Sequence, residues 1–256
     1  MVSIPNLSLA GKVAIVTGGR RGIGKAIALA FAEAGADVAV CDLVVEDGEL
    51  QLVAEEIQRL GRHSLAVQAD TSRKADVDTF VQKVTEQLGA IDILVNNAGI
   101  IIRAPLLDMS EDDWDKLLNV DLKGYYLCSQ AVGKRMVERK KGSIINIASQ
   151  LAFRAVTDMG AYCIAKSGVV MLTRALAQEL CGYGIRANAI APSLVKTEFS
   201  RPSWGTPESL AEREARVPLG RVAETGDIIG TALFLASDAS SYIAGHTIIV
   251  DGGGLA

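Results

Sequence analysis

Short apolar runs alternate with longer amphipathic segments along the chain. The short runs are rich in valine, isoleucine and alanine and lack strict polar alternation, which is typical of strands in a parallel sheet covered on both faces. We predict seven strands, at residues 13–16, 37–41, 64–69, 91–95, 142–147, 185–190 and 247–250.

Helical periodicity fills the intervals between these runs, and no proline falls inside the periodic segments. The predicted helices cover residues 24–34, 48–60, 75–88, 112–139, 161–180 and 225–236. Strands that alternate with crossover helices indicate an α/β fold. We therefore expect residues 1–256 to form a single domain, a doubly wound parallel sheet with helices on both faces.

One stretch, residues 197–221, lacks clear periodicity. It holds three of the six prolines, together with Trp204 and Gly205. A long irregular segment within a compact domain commonly has a functional reason. We predict that it is a lid over a substrate site.

The charge balance argues against a polyanionic partner. The chain has 26 lysines and arginines against 30 aspartates and glutamates, a formal net charge of −4. Without a global positive field, nucleic acid is an unexpected partner.

The longest apolar runs, such as residues 228–236, are about half as long as a membrane-spanning helix. The first residues also lack the basic and apolar pattern of a secretory signal. We expect a cytoplasmic protein without a membrane partner.

The four cysteines lie far apart in the sequence and predict reduced thiols rather than a disulfide framework. His63 and His246 stand alone, without the neighbouring ligands that a metal ion needs. No metal site is predicted.

A glycine-rich loop follows the first predicted strand and opens the first helix. It reads Thr17-Gly-Gly-Arg-Arg-Gly-Ile-Gly24. Glycines in this context let the backbone approach a pyrophosphate, and the helix N-terminus offers unpaired N–H groups to it. The loop therefore predicts a dinucleotide site.

Asp42 stands at the end of the second predicted strand, directly after residues 37–41, close to the position where a carboxylate binds the adenosine ribose of NAD. A 2′-phosphate would be repelled by this charge, so we expect NAD. Arg20 and Arg21 favour the alternative, since either guanidinium would suit the 2′-phosphate of NADP.

Tyr162 and Lys166 stand four residues apart on a predicted helix, so both lie on one face. A nearby cation stabilises a phenolate and lowers the pKa of a tyrosine. Ser149 follows the strand at residues 142–147, and the ends of parallel strands meet at one edge of a sheet. These side chains predict a proton-transfer site.

Several motifs in one order resemble the short-chain dehydrogenase/reductase family over the whole chain. They are Thr17-Gly-x-x-x-Gly-x-Gly24, Asn96-Asn-Ala-Gly99, Asn119, Ser149, Tyr162-x-x-x-Lys166, residues 192–197 and Asp251-Gly-Gly253. The resemblance implies a Rossmann fold and an oxidoreductase acting on CH–OH groups. Family members are commonly homotetramers, which implies the same assembly here.

The resemblance also implies roles for the catalytic candidates. Tyr162 would be the general acid and base, and Ser149 would bind the substrate oxygen. Lys166 would lower the tyrosine pKa and hold the nicotinamide ribose. Asn119 is similar to the asparagine that holds a water in the family's proton relay.

The cofactor contacts implied together by the glycine loop and the resemblance extend along the chain. Besides Tyr162 and Lys166 they are Gly18, Arg20, Arg21, Gly22, Ile23, Gly24, Asp42, Asp70, Thr71, Asn97, Ala98, Gly99, Pro192, Val195 and Thr197. One departure is Ser193, which stands where family members usually have glycine. Its side chain restricts backbone freedom beside the expected nicotinamide site.

The expected substrate pocket mixes cationic and apolar groups. Besides Ser149 and Tyr162 it comprises Arg103, Gln150, Phe153, Arg154 and Leu194. Guanidinium groups suit carboxylates and hydroxyls. The sequence around Arg103 and Ser149 is similar to that of sugar-acid and polyol dehydrogenases. A small sugar, polyol or sugar acid is the expected substrate.

Two alternatives stay open. Within the family, the chain could be an NADPH-dependent 3-oxoacyl-thioester reductase or a broad carbonyl reductase. Outside catalysis, it could be a nucleotide-binding scaffold, because a fold alone does not fix a function. The presence of all four candidate catalytic residues disfavours the scaffold.

Overall fold

The computed structural model describes residues 6–256. Its seven strands form one parallel sheet in the order β3-β2-β1-β4-β5-β6-β7, which confirms the predicted doubly wound fold. The strands are β1 Val13–Thr17, β2 Asp37–Asp42, β3 Ser64–Gln68, β4 Ile93–Asn96, β5 Gly142–Ile147, β6 Ile185–Pro192 and β7 Thr247–Val250.

Helices cover both faces of this sheet. They are α1 Gly22–Glu33, α2 Glu49–Arg59, α3 Lys74–Leu88, α4 Glu111–Leu118, α5 Gly124–Arg139, α6 Gly160–Leu180, α7 Pro207–Glu214 and α8 Gly226–Ala236. Helices α1, α2 and α8 pack on one face, and helices α3, α5 and α6 pack on the other.

Strand β1 shows why its sequence lacks polar alternation. Ala14 and Val16 are buried in the core beneath α1 and α8, whereas Val13 and Ile15 are buried in the core beneath α3 and α5. Both faces of the strand are shielded from water, so these four positions are all apolar. Burying each large aliphatic side chain stabilises the fold by roughly 1.5–3 kcal/mol.

The predicted helix at residues 112–139 is interrupted. A π-helical turn, Asn119–Lys123, separates α4 from α5. Such a turn contains an extra residue and rotates the side chains that follow it, and π turns often occur at functional sites. Here it places Asp121 in the interior.

The stretch 197–221 contains a helix that the sequence pattern did not reveal. Helix α7 begins after Thr206, whose side chain accepts a hydrogen bond from the backbone of Ser209, while Ser209 bonds back to Thr206. Pro207 occupies the first turn, where its missing N–H is harmless. Pro207, one of the prolines that suggested irregular structure, therefore marks a helix start.

None of the helices within residues 6–256 combines the length and the apolar character that crossing a membrane requires.

Candidate active site

One cleft of about 800 Å³ opens at the carboxyl ends of the strands. Its position follows from the strand order, because the chain turns from β1 towards β2 in one direction and towards β4 in the other. Such a reversal leaves a crevice in which ligands bind. Most of the predicted site residues line this cleft: Gly18, Arg20, Arg21, Gly22, Ile23, Asp42, Asp70, Thr71, Asn97, Ala98, Gly99, Arg103, Ser149, Gln150, Arg154, Tyr162, Lys166, Pro192, Leu194, Val195 and Thr197.

The glycine loop fits a dinucleotide diphosphate. Gly18 and Gly22 have φ angles of +63° and +58°, which other residues adopt rarely. A Cβ atom at Gly18 would lie 2.8 Å from the backbone of Ala98. No side chain caps the start of α1 at Arg21. The first N–H groups of that helix are thus left for an anion.

The loop is braced by the end of β4. The amide nitrogen Nδ2 of Asn97 donates to the carbonyls of Thr17 and Gly18, at 3.0 and 3.1 Å. In return, Thr17 Oγ1 accepts hydrogen bonds from the backbone N–H groups of Asn97 and Ala98. The loop is therefore held in shape by the protein itself.

Gly24 was expected to contact the cofactor, but it does not line the cleft. It is buried against the loop, where a Cβ atom would overlap the carbonyl oxygen of Gly18 and lie 2.5 Å from Nδ2 of Asn97. Its lack of a side chain serves the close packing of α1 on the loop.

At the adenosine end of the expected site, Asp42 lies beside Arg20. The Arg20 Nε atom is 3.6 Å from Asp42 Oδ1, and its Nη1 atom pairs with Asp47 and with Glu49. The Arg20 side chain is only 9% exposed. Arg21 is exposed, and within residues 6–256 it has no acidic partner. The sequence alone did not distinguish the two arginines, but in the structure Arg20 is buried and paired whereas Arg21 is exposed.

Lys166 lies at the centre of a group of buried side chains. Its Nζ atom lies 3.1 Å from Tyr125 Oη, 3.1 Å from Asp121 Oδ2 and 3.3 Å from the carbonyl of Ile147. It also lies 5.5 Å from the centre of the Tyr162 ring. Tyr125 was not predicted from the sequence, since its position in a long amphipathic helix is that of an ordinary core residue.

Burial and charge oppose each other at Tyr162, which is 8% exposed. Burial raises the pKa of Tyr162, because the phenolate loses its hydration. The Lys166 cation lowers that pKa, the Asp121 carboxylate raises it, and the Ser149 hydroxyl lowers it. Burial therefore outweighs the charge of Lys166, and the pKa of Tyr162 lies above its ordinary value.

Asp121, rather than Asn119, contacts Lys166. Asp121 is fully buried and lines the cleft, whereas Asn119, two residues earlier at the start of the π turn, does not. The Asp121 Oδ1 atom accepts a hydrogen bond of 2.7 Å from the Ile100 N–H group. The expected role of Asn119 in holding a water stays a prediction. The π turn determines which side chain faces inward.

The substrate end is more cationic than the sequence suggested. Arg213 and Arg216, at and just beyond the end of α7, line the cleft together with Arg103 and Arg154. Ser203 links two of them, because Arg103 donates to its hydroxyl at 3.0 Å and Arg213 to its carbonyl at 3.4 Å. Arg213 and Arg216 were missed because the segment was interpreted as irregular.

Phe153 does not join this end of the site. It is 44% exposed and is not among the residues that line the cleft, and its contact with a substrate stays a prediction. Its neighbours Gln150 and Arg154 do line the cleft. The turn at Gln150–Ala152 is a short 3₁₀ helix, so adjacent positions face in different directions.

Ser193 fits the backbone beside the expected nicotinamide site. It is not among the residues of positive φ in the described chain, and its N–H group bonds to Val250 at 3.0 Å. Nearby, Val195 pairs with Ala223 in an isolated parallel bridge. This backbone conformation does not require the glycine that family members usually have.

Comparison with known proteins agrees with this geometry. A family model described as enoyl-(acyl carrier protein) reductase, of the short-chain type, matches residues 18–254. A 2-dehydro-3-deoxy-D-gluconate 5-dehydrogenase of Pseudoalteromonas atlantica is 40% identical over 252 residues, 98% of each chain. The chain belongs to the short-chain dehydrogenase/reductase family. It is an oxidoreductase that acts on hydroxyl groups and binds a nicotinamide cofactor.

Other members of the short-chain dehydrogenase/reductase family show the spread of activities around this chain. A D-threitol dehydrogenase of Mycolicibacterium smegmatis is 43% identical over 245 residues, 96% of this chain and 93% of that protein. A 3-oxoacyl-[acyl-carrier-protein] reductase of Chlamydia pneumoniae is 40% identical over 249 residues, 97% of this chain and 98% of that protein.

A solved structure of the same family is similarly related. The gluconate 5-dehydrogenase of Burkholderia cenocepacia, in complex with NADP and tartrate, has a TM-score of 0.92 and 37% identity. The match covers 97% of this chain and 96% of that one. The short-chain dehydrogenase/reductase chain described here is thus close to sugar-acid and polyol dehydrogenases.

Proposed function

We propose that this protein transfers hydride between NAD and a secondary alcohol of a sugar, polyol or sugar acid. One observation carries the proposal. A single cleft joins the Ser149, Tyr162 and Lys166 constellation to a wall that contains four arginines. The first set suits proton transfer at a hydroxyl group, and the second suits an anionic or polyhydroxylated substrate.

The catalytic residues divide the work of oxidation among them. A bound nicotinamide supplies the acceptor for the hydride that leaves the alcohol carbon. Tyr162, in its phenolate form, receives the hydroxyl proton on Oη, and Ser149 holds the substrate oxygen by a hydrogen bond. Lys166 favours the phenolate form of Tyr162 through its positive charge. In the reverse direction Tyr162 returns the proton to the alkoxide as the carbonyl is reduced.

The preference for NAD rests on the charges around Arg20. Asp42, Asp47 and Glu49 surround this guanidinium, so their combined negative charge exceeds its single positive charge. A 2′-phosphate bound at Asp42 would add a further negative charge, which is unfavourable in a cleft. Exposed Arg21 and the NADP in the Burkholderia structure favour NADP as the alternative.

The preference for a sugar acid rests on Arg103, Arg154, Arg213 and Arg216. A guanidinium forms two parallel hydrogen bonds to a carboxylate, and such charged pairs are stronger than neutral ones. The tartrate in the Burkholderia structure is a hydroxylated dicarboxylate, and the Pseudoalteromonas relative is named for a sugar acid. D-threitol, named in a third relative, keeps neutral polyols within the proposal.

A 3-oxoacyl-thioester reductase is the second candidate. The Chlamydia relative and the description of the family model favour it. It predicts NADPH as reductant, which the acidic groups around Arg20 disfavour.

An initial-rate screen separates these candidates. NADH and NADPH absorbance would be followed, in both directions, over sugar acids, polyols, aldoses, cyclic alcohols and a 3-oxoacyl thioester. We expect NAD-linked turnover of a sugar acid or polyol. NADPH-linked reduction of the thioester would overturn the proposal, and cofactor binding without turnover of any compound would favour a scaffold.

We also propose a homotetramer and a cytoplasmic location. The exposed apolar side chains Tyr126 on α5 and Met171 on α6 suit contacts between subunits. Light scattering coupled to size-exclusion chromatography measures the assembly, and a monomeric mass would contradict it.

The free thiols at Cys41, Cys128, Cys163 and Cys181 suit a reducing compartment, which cell fractionation tests.

A further inference from the structure

The buried carboxylate of Asp121 is not explained by the proposed mechanism. We propose that Asp121 is a positioning residue that holds Lys166 and offsets its positive charge, and thereby shifts the activity of Tyr162 as a base towards higher pH. This inference rests on the proposed role of Tyr162 in proton transfer.

One oxygen atom of the carboxylate accepts a hydrogen bond and the other lies within ion-pair distance of Lys166. Asp121 Oδ1 accepts the Ile100 N–H at 2.7 Å, and Asp121 Oδ2 lies 3.1 Å from Lys166 Nζ. Asp121 is 0% exposed, and among residues 6–256 Lys166 is its one ionic partner. A buried charge without a partner is strongly unfavourable. Because neither group can be hydrated here, separation of Asp121 from Lys166 would cost free energy.

The surrounding backbone is shaped to admit this carboxylate. A Cβ atom at Gly99 would lie 3.0 Å from Asp121 Oδ2. One at Gly168, on α6, would lie 2.8 Å from Leu122, the next residue of the π turn. Two glycines on separate elements therefore leave room for the π turn and for the side chain that it presents.

The ammonium group of Lys166 has three close partners in the protein. It donates hydrogen bonds to Tyr125 Oη and to the Ile147 carbonyl, and it forms an ion pair with Asp121. Only Asp121 among them carries a full negative charge. The carboxylate thus fixes the direction of Lys166 and reduces the positive field that Tyr162 experiences.

The pKa directions agree with this geometry. Burial alone would lower the pKa of Lys166, but Asp121, with Tyr125 and Tyr162, raises it above its ordinary value. Burial raises the pKa of Asp121, and Lys166 opposes that rise. The groups that face Tyr162 are Lys166 and Cys163 of its own helix, Asp121 of the π turn, Tyr125 of α5 and Ser149 after β5.

The test compares Asp121→Asn with the unsubstituted protein. An amide retains an oxygen for Ile100 and removes the charge, so Lys166 would act on Tyr162 unopposed and lower its pKa. The midpoint of the kcat profile for alcohol oxidation should move to lower pH by about one unit or more. Asp115→Asn, an exposed carboxylate on α4, is the matched control and should leave the midpoint unchanged.

A second measurement does not depend on turnover. The phenolate absorbance of the protein is titrated with and without Asp121→Asn, each against a Tyr162→Phe background that identifies the Tyr162 contribution. The phenolate midpoint should fall by the same amount. Asp121→Glu keeps the charge and should keep the wild-type midpoint, even if it turns over slowly.

Unchanged midpoints in Asp121→Asn, or equal shifts in Asp121→Glu and Asp121→Asn, would overturn the inference. If the amide variant does not fold, Asp121→Ser repeats the comparison with a smaller uncharged side chain, and its midpoint decides in the same way. Failure of the proposed function can be distinguished from failure of the Asp121 inference, because in the first case Tyr162→Phe would retain its turnover. The phenolate titration would still test Asp121.

Discussion

The guanidinium of Arg20 lies 3.6 Å from the carboxylate of Asp42 and also pairs with two further acids, Asp47 and Glu49. An arginine in a glycine-rich loop suggests a site for the 2′-phosphate of NADP. Here the positive charge is already neutralised by the protein. The pairing links the start of α2 to the glycine loop and leaves this region net acidic.

Substitution of Asp42 by alanine should relax the preference for NAD. The change removes one negative charge and releases part of Arg20 for a 2′-phosphate. The ratio of kcat/KM for NADP to that for NAD should rise at least about tenfold, which corresponds to about 1.4 kcal/mol. Asp78→Ala, which removes an exposed carboxylate of α3, is the control. An equal ratio in both variants would count against the ribose contact.

Tyr162→Phe should abolish most of the turnover. The ring and its packing remain, while the phenol oxygen that accepts the proton is lost. We expect kcat to fall by roughly 10²–10⁴-fold, the usual contribution of a general acid or base. The dissociation constant for NAD, measured by fluorescence, should change little. Tyr183→Phe, an exposed tyrosine outside the cleft, serves as control. Turnover near the wild-type rate would exclude Tyr162 as the proton acceptor.

Arg213→Ala and Arg154→Ala should discriminate between acidic and neutral substrates. Hydrogen bonds to a charged group contribute about 1.5–3 kcal/mol, so KM for a sugar acid should rise roughly 10- to 100-fold. KM for a neutral polyol should change much less. Arg59→Ala, at the exposed end of α2, controls for loss of a surface charge. Equal effects on both substrate types would indicate that these arginines are only solvated side chains.

The strands and the glycine loop could be predicted because their signals are local. Apolar runs such as residues 142–147 and 247–250 agree with β5 and β7 residue by residue. Helix ends were predicted less well, and the π turn was not predicted at all. One extra residue in a turn leaves the apolar pattern of a helix nearly intact, yet it brings Asp121 rather than Asn119 to Lys166.

The substrate end of the cleft could not be predicted in full, because it forms by packing between segments that are distant in sequence. Arg103 and Arg213 are far apart in sequence and meet only at Ser203. Such a contact follows from the placement of α7, which no periodic pattern in its eight residues indicated. Phe153 and Arg154 show the same difficulty. Both of these adjacent residues were predicted to contact the substrate, but only Arg154 lines the cleft.

Two helical glycines should respond to alanine in opposite ways. Gly24→Ala would force a methyl group against the Gly18 carbonyl and Asn97, and we expect it to destabilise the protein by about 1–3 kcal/mol. Gly230, in the interior of α8, has no atom within 4 Å of an added Cβ, so Gly230→Ala should stabilise by up to about 1 kcal/mol. Urea unfolding of both variants measures these free energies. Stabilisation by both substitutions would mean that the loop yields to the methyl group, and that Gly24 is dispensable for the packing of α1 against the cofactor site.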